Sequence, residues 1–189
     1  MALKSKAVES EICASLGLEE YENGASGTPR FLRILSSVLQ RTISKNEKSM
    51  KVSKKKDAVT IFHGLRAPTL SIQQYLERIL KYCSCSPSCF VVAYIYLERF
   101  LQRTGAHLTS LNAHRLLITS VMVAAKFMDD ECYDNAYHAK VGGVSTGEMN
   151  RMEMKFLFSL DFRLHVAAED FWKYCLQLKK EGLQIDRPS

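Results

Sequence analysis

Proline and glycine leave this chain almost unpunctuated. Proline occurs only at positions 29, 68, 87 and 188, and nine glycines add few further breaks. Between them lie five long runs, 30–63, 69–86, 88–104, 106–141 and 148–181. An all-β domain would need a turn about every ten residues, and the residues for so many turns are missing. Long helices are what the spacing permits. Apolar residues make up 47% and charged residues 24% of the 189. That is the mix of one globular domain, not of a disordered chain. No apolar run approaches the ~20 residues a membrane helix needs, so no membrane partner is expected.

Each run carries its own helical signal. Thr28-Pro29 reads as a cap followed by proline at the first helical position, ahead of Phe31, Ile34, Leu35, Val38 and Leu39 on one face. That helix is expected to fade into a Lys-rich linker over 45–57, or into a nuclear localisation signal. Ser71 and Gln74 form a capping box before Ile72, Tyr75, Leu76, Ile79 and Leu80. Ser86-Pro87 opens a helix that Gly105 ends. Ten of the thirteen residues from Leu116 to Met128 are apolar, which predicts a buried central helix. Ser145 and Glu148 form another capping box, launching Met149, Phe156, Leu157 and Leu160. A last helix, about 168–180, is expected to stop at Gly182. The sum is an all-α domain over 28–181, between a charged, flexible tail (1–27) and a short C-terminal tail (182–189).

Charge and cysteine usage narrow the function. The net charge of +6 divides into −3 over 1–27, +8 over 28–68 and +1 over 69–189. A nucleic-acid footprint should cover the domain body, so no nucleic-acid partner is expected. The N-terminal segment is charged throughout and lacks the apolar centre of a secretory signal. The expected location is therefore the nucleus or cytoplasm, with the six cysteines as free thiols. No metal or cofactor is expected, because Cys83, Cys85 and Cys89 have no second pair at zinc-ligand spacing. The glycines of 142–147 have the spacing of a phosphate-binding loop, but Glu148-Met149 stands where Lys-Ser/Thr is required. They read as a turn. Nothing else resembles a catalytic motif, so the chain is not expected to be an enzyme.

Two features break the pattern. Lys126 interrupts the most apolar helix, beside Thr119, Met122 and Val123, and Glu153 lies inside the stripe of Met149, Phe156, Leu157 and Leu160. Charges so placed need partners. They could bridge each other, or they could be polar pins that grip another protein's backbone. The second feature is the acidic cluster Asp129, Asp130, Glu131 and Asp134, just past a helix end. It could cap the short segment 135–141 or meet a basic partner.

These residues carry a resemblance. Ala125-Lys126-Phe127, followed by Arg151-Met152-Glu153 with the Glu 27 positions after the Lys, resembles the cyclin box. Tyr96-Leu97-Glu98-Arg99-Phe100-Leu101 resembles its second helix. Ala125–Asp130, Asn135-Ala136-Tyr137 and Ala139–Gly143 are similar to the P-type (U-type) plant cyclins and their fungal phosphate-pathway relatives. The likeness runs from about Thr28 to Lys180. It implies a five-helix box preceded by one extra helix, and a regulatory subunit that binds and activates a cyclin-dependent kinase by docking on its C-helix. By the same resemblance, Lys126 and Glu153 would hold kinase backbone groups, while Val123, Phe127, Leu157 and Leu164 would form an apolar pocket. Asp130, at the edge of that contact, would pair with a kinase arginine, while Asp129 is expected to serve the end of its own helix.

The family pattern is not complete. No second box is expected after Lys180. The segment Thr69–Leu80 lacks the Met-Arg-Ala-Ile-Leu pattern with which larger cyclins dock substrates, and no destruction box is present. The alternative function is a cyclin-fold nucleic-acid-binding module like the general transcription factors.

Overall fold

The computed structural model describes residues 10–18, 28–53, 58–130 and 132–185, and these form helices and loops with no strand among them. After a short helix α1 over 10–16 come α2 (Arg30–Ser53), α3 (Ile72–Cys83) and α4 (Pro87–Thr104). Then follow α5 (Ala113–Met128), α6 (Asn135–Gly142), α7 (Thr146–Ser159) and α8 (Ala168–Ile185).

The caps form as the residues dictate. The Ser71 hydroxyl accepts from the Gln74 N–H at 3.2 Å, and the Gln74 side chain accepts from the Ser71 N–H at 3.1 Å. Ser145 and Glu148 repeat the arrangement at the start of α7. Ser86 caps α4, Pro87 occupies its first turn, and Gly105 ends it in the left-handed conformation with φ 65°. The central helix is α5. It packs against α3, α4, α6 and α7, and every residue from Leu116 to Ala125 is buried. Thr119 and Ser120 are tolerated there because their hydroxyls donate to the carbonyls of Arg115 and Leu117. At the α5–α6 crossing, a Cβ on Gly142 would stand 2.9 Å from Ile118 Cγ1, so only glycine fits.

Four details differ from the sequence reading. First, α2 does not fade at Lys45 but runs to Ser53. Asn46 donates to the Leu108 carbonyl at 2.9 Å and Glu47 accepts from the Ser110 N–H at 2.8 Å. That polar face tethers the helix, while Lys45, Lys48 and Lys51 face solvent. Residues 54–57 of the expected linker lie outside the described residues. Second, part of the expected tail folds: Ile12, Leu16 and Leu18 are buried. Arg30 donates to the Ser15 carbonyl at 2.7 Å, and Glu11 pairs with Lys179 at 2.9 Å. Third, α8 continues through Gly182, where a Cβ would meet Ile34 Cδ1 at 2.6 Å. That glycine lets α8 cross α2 closely and does not stop the helix. Fourth, Thr28 clamps α3 by donating to Glu77 at 2.5 Å, and the Pro29 carbonyl starts α2 by accepting from Leu32 and Arg33.

Candidate functional site

Three elements converge at one end of the central helix. The end of α5 supplies Lys126, Phe127 and Met128, the start of α6 supplies Asn135, and the middle of α7 supplies Asn150 and Glu153. Lys126 Nζ lies 2.7 Å from Glu153 Oε1 and also donates to Asn135 Oδ1. Asn135 Nδ2 donates to Glu153 Oε2 at 2.6 Å and to Asn150 Oδ1 at 2.7 Å. The two charges that broke the apolar pattern therefore bridge each other, as the simpler reading of them held. The pair remains reachable, with the Lys126 side chain 36% exposed and that of Glu153 16% exposed. An ammonium has three donors and Lys126 spends two, while each Glu153 oxygen keeps a free lone pair. The node can thus both donate and accept further.

Asn135 and Asn150 escaped the sequence reading, since neither is charged nor out of place on its helix. The available signal was the spacing of Asn150 three residues before Glu153, which puts both on one face of α7.

Beside the node opens an apolar cleft of about 380 Å³, lined by Val92, Tyr96, Phe127, Leu164, Val166 and Trp172 among others. Phe127 is 52% exposed. The loop that carries Leu164 is held by Tyr96, whose hydroxyl donates to the Leu164 carbonyl at 2.6 Å, and by Arg99, which donates to the His165 carbonyl at 3.0 Å. Asp161 and Phe162, which lead into that loop, both take positive φ, 55° and 54°. A bulky residue in the left-handed region is strained, and Phe162 is exposed at this turn. It meets Phe158 edge-on at 5.2 Å. Met154, Phe158 and Phe162 are all exposed, with Phe158 at 64%. Phe158 stands about 100° round α7 from Leu157, where an ordinary amphipathic helix would be polar.

The expected apolar residues separate in this geometry. Phe127 and Leu164 line the cleft. Leu157 is half-buried against the core. Val123 is 2% exposed and offers no surface to a partner, because its face of α5 packs inward. The acidic cluster also divides. Asp134 caps α6 by accepting from the Tyr137 N–H at 2.8 Å. Asp129 ends its own helix through the backbone, its N–H donating to the Ala125 carbonyl at 2.9 Å, while its carboxylate serves the start of α4, accepting from the Ser86 hydroxyl at 3.2 Å and the Cys89 thiol at 3.2 Å. Asp130 is exposed and makes no hydrogen bond or ion pair among the described residues. Glu131 lies outside them.

Burial pushes the Cys83 thiol up to about 12 and raises Cys85 and Cys89 likewise, so all three are thiols and not thiolates. Among the described residues no group of three or more His, Cys, Asp or Glu could hold a metal ion. Among the described residues no helix is long and apolar enough to cross a membrane. The arrangement presents an exposed apolar surface with a polar node at its rim.

Comparison with known proteins assigns the fold. Residues 30–164 match the family model described as Cyclin. Cyclin-P3-1 of Oryza sativa subsp. japonica is 56% identical over 178 residues, spanning 92% of this chain and 75% of the relative. Cyclin-U4-1 of Arabidopsis thaliana is 53% identical over 165 residues, spanning 87% and 81%. Cyclin-P4-1 of Oryza sativa subsp. japonica is 49% identical over 168 residues, spanning 87% and 79%. By these matches the chain belongs to the cyclin family, among relatives of the plant P and U types.

Proposed function

We propose that the protein is the regulatory subunit of a cyclin-dependent kinase and activates it by docking on the kinase C-helix. The observation that carries this reading is a polar node with spare donor and acceptor capacity at the rim of an exposed apolar face. Lys126 and Glu153 would grip kinase backbone groups, and Phe127, Leu157 and Leu164 would receive the apolar side of the C-helix. The cyclin itself would perform no reaction. It would hold the C-helix where the kinase's own Lys–Glu pair and metal-binding Asp are in place for phosphoryl transfer.

Asp130 extends the proposal. An acid two residues beyond the end of α5, without a partner among the described residues, could pair with a kinase arginine and supply part of what an activation-loop phosphate supplies. The complex would then be active without that phosphate.

The test is to mix the purified chain with a cyclin-dependent kinase and follow complex formation and activity together. A one-to-one complex with raised activity supports the reading; no complex sinks it. Repeating the assay with an unphosphorylatable activation loop addresses Asp130. Asp130→Asn should lower activity more than binding, and an Asn variant equal to wild type removes Asp130 from the account.

A further inference from the structure

A second polar hollow lies away from the face just described and shares no residue with it. It measures about 490 Å³ and sits between the loop of residues 61–66, the start of α5 and the start of α7. Three arginines line it, Arg66, Arg115 and Arg151, against one carboxylate, Glu148. Glu148 pairs with Arg115 at 2.6 Å. Its other oxygen accepts from the N–H and the hydroxyl of Ser145, both at 2.9 Å. The carboxylate is therefore spent, but the guanidiniums are not. Arg66 and Arg151 make no hydrogen bond or ion pair among the described residues. Arg115 Nε is enclosed and donates to nothing.

The backbone makes the excess worse. Arg115 is the third residue of α5, and Arg151 Nη1 lies 3.6 Å from where a Cβ on Gly147 would stand, over the first turn of α7. Both cations thus sit at positive helix ends, where the dipole disfavours them. A backbone contact brings the loop to this place. The Gly64 N–H donates to the Leu111 carbonyl at 2.8 Å, which pins the loop carrying Arg66 to the segment before α5. Three guanidiniums around one hollow, two of them exposed and without a partner among the described residues, concentrate positive charge there.

We propose that this hollow binds a small phosphate-bearing molecule. A carboxylate has two oxygens, too few to satisfy three separate guanidiniums, whereas a phosphate monoester presents three and a diphosphate more. Planar guanidiniums also match phosphate oxygens in pairs. The volume fits a compact ligand, such as a diphosphate or a phosphorylated metabolite. Five residues along α7 turn through about 140°, so Glu148 and Glu153 face different sides, and the ligand and a protein partner on the node can be bound together.

The experiment is calorimetric titration of the full chain with inorganic pyrophosphate, with acetate and a phosphoserine peptide as separate arms. Pyrophosphate is expected to bind at one site, and acetate not to bind. Arg66→Ala and Arg151→Ala should each weaken pyrophosphate at least about tenfold, the loss expected for a charged hydrogen bond, without a change in melting temperature. Glu148→Gln keeps the capping box, since glutamine serves there too, and removes the one opposing charge. It should tighten binding severalfold. The proposal is overturned if pyrophosphate gives no saturable heat or if the arginine variants bind it as wild type does. Binding of the phosphopeptide alone overturns it as well.

Discussion

Two ion pairs bridge α5 and α7, and they are built differently. Arg115–Glu148, at the start of both helices, is locked into the backbone, because Glu148 also accepts from the Ser145 N–H that opens α7. Lys126–Glu153, farther along both helices, is held only by side chains, with Asn135 as the third member. A carboxylate bonded to a helix terminus cannot leave without loosening the helix. A carboxylate bonded to a lysine and an amide can exchange either for an incoming partner and leave the helices as they were. The first pair belongs to the fold's own integrity; the second is free to be used. The apolar surroundings agree, since Phe127, Met154 and Phe158 are exposed near the second pair.

The largest effect should come from the apolar face. Phe127→Asp places a carboxylate in the proposed contact, and kinase affinity should fall by more than about a hundredfold. The free protein should keep its melting temperature, because Phe127 is already half in solvent. Ser159→Asp, on the far side of α7 from that contact, should be nearly silent in the same binding assay. Equal damage from both would mean that the loss is not specific to the face Phe127 occupies.

Next comes the locked pair. Glu148→Ala removes half of a capping box and an ion pair, a loss of about 1–2 kcal/mol. A domain of this size should then melt roughly 2–8 °C lower. Kinase affinity should stay as in wild type, and a loss of affinity without a loss of stability would reverse the roles assigned to the two pairs.

The smallest effects should appear in the pH dependence of unfolding. Burial holds His114 and His138 below their ordinary value of 6.5. Both are neutral in the folded protein and take up protons more readily when unfolded, so their contribution is present above about pH 6.5 and lost as pH falls below it. The Ser145 N–H and the Arg115 guanidinium hold the Glu148 carboxyl down at about 2 from 4.5. Its contribution is complete above 4.5 and lost between there and 2. Glu148→Gln should shrink the lower step, leaving the part due to Glu47, whose carboxyl Ser110 also holds below its ordinary value, and should leave the upper step unchanged. Thermal melts across pH 2–8 would show both, and a melting temperature flat from pH 7 to 5 would contradict the assignment to the histidines.

Much of this was legible in the residues. Ser71 with Gln74, Ser145 with Glu148 and the apolar run of α5 are local signals, and local signals suffice where a helix caps itself or is buried all round. Lys126 and Glu153 stood out because a charge in an apolar stripe must find a partner. What escaped depends on contacts between distant segments. Lys45–Lys51 looked like a linker because lysine side chains say nothing about the opposite face, where Asn46 and Glu47 reach Leu108 and Ser110. Gly182 looked like a helix stop because glycine at a close crossing and glycine at a terminus are the same letter. The reach of the Asp129 carboxylate to the start of α4 escaped because Ser86 lies 43 residues away in the chain and beside it in space. The convergence of Arg66, Arg115 and Arg151 is invisible for the same reason.

The central claim is that the Lys126–Glu153 node serves a partner and not the fold. It is tested most directly by measuring kinase affinity and free-protein melting temperature side by side for wild type, Lys126→Ala and Glu153→Ala. Each variant should lose charged hydrogen bonds to the kinase, about 1.5–3 kcal/mol or roughly tenfold to a hundredfold in Kd, with little change in melting temperature. A collapse in melting temperature, with the remaining folded protein binding the kinase as wild type does, would contradict it.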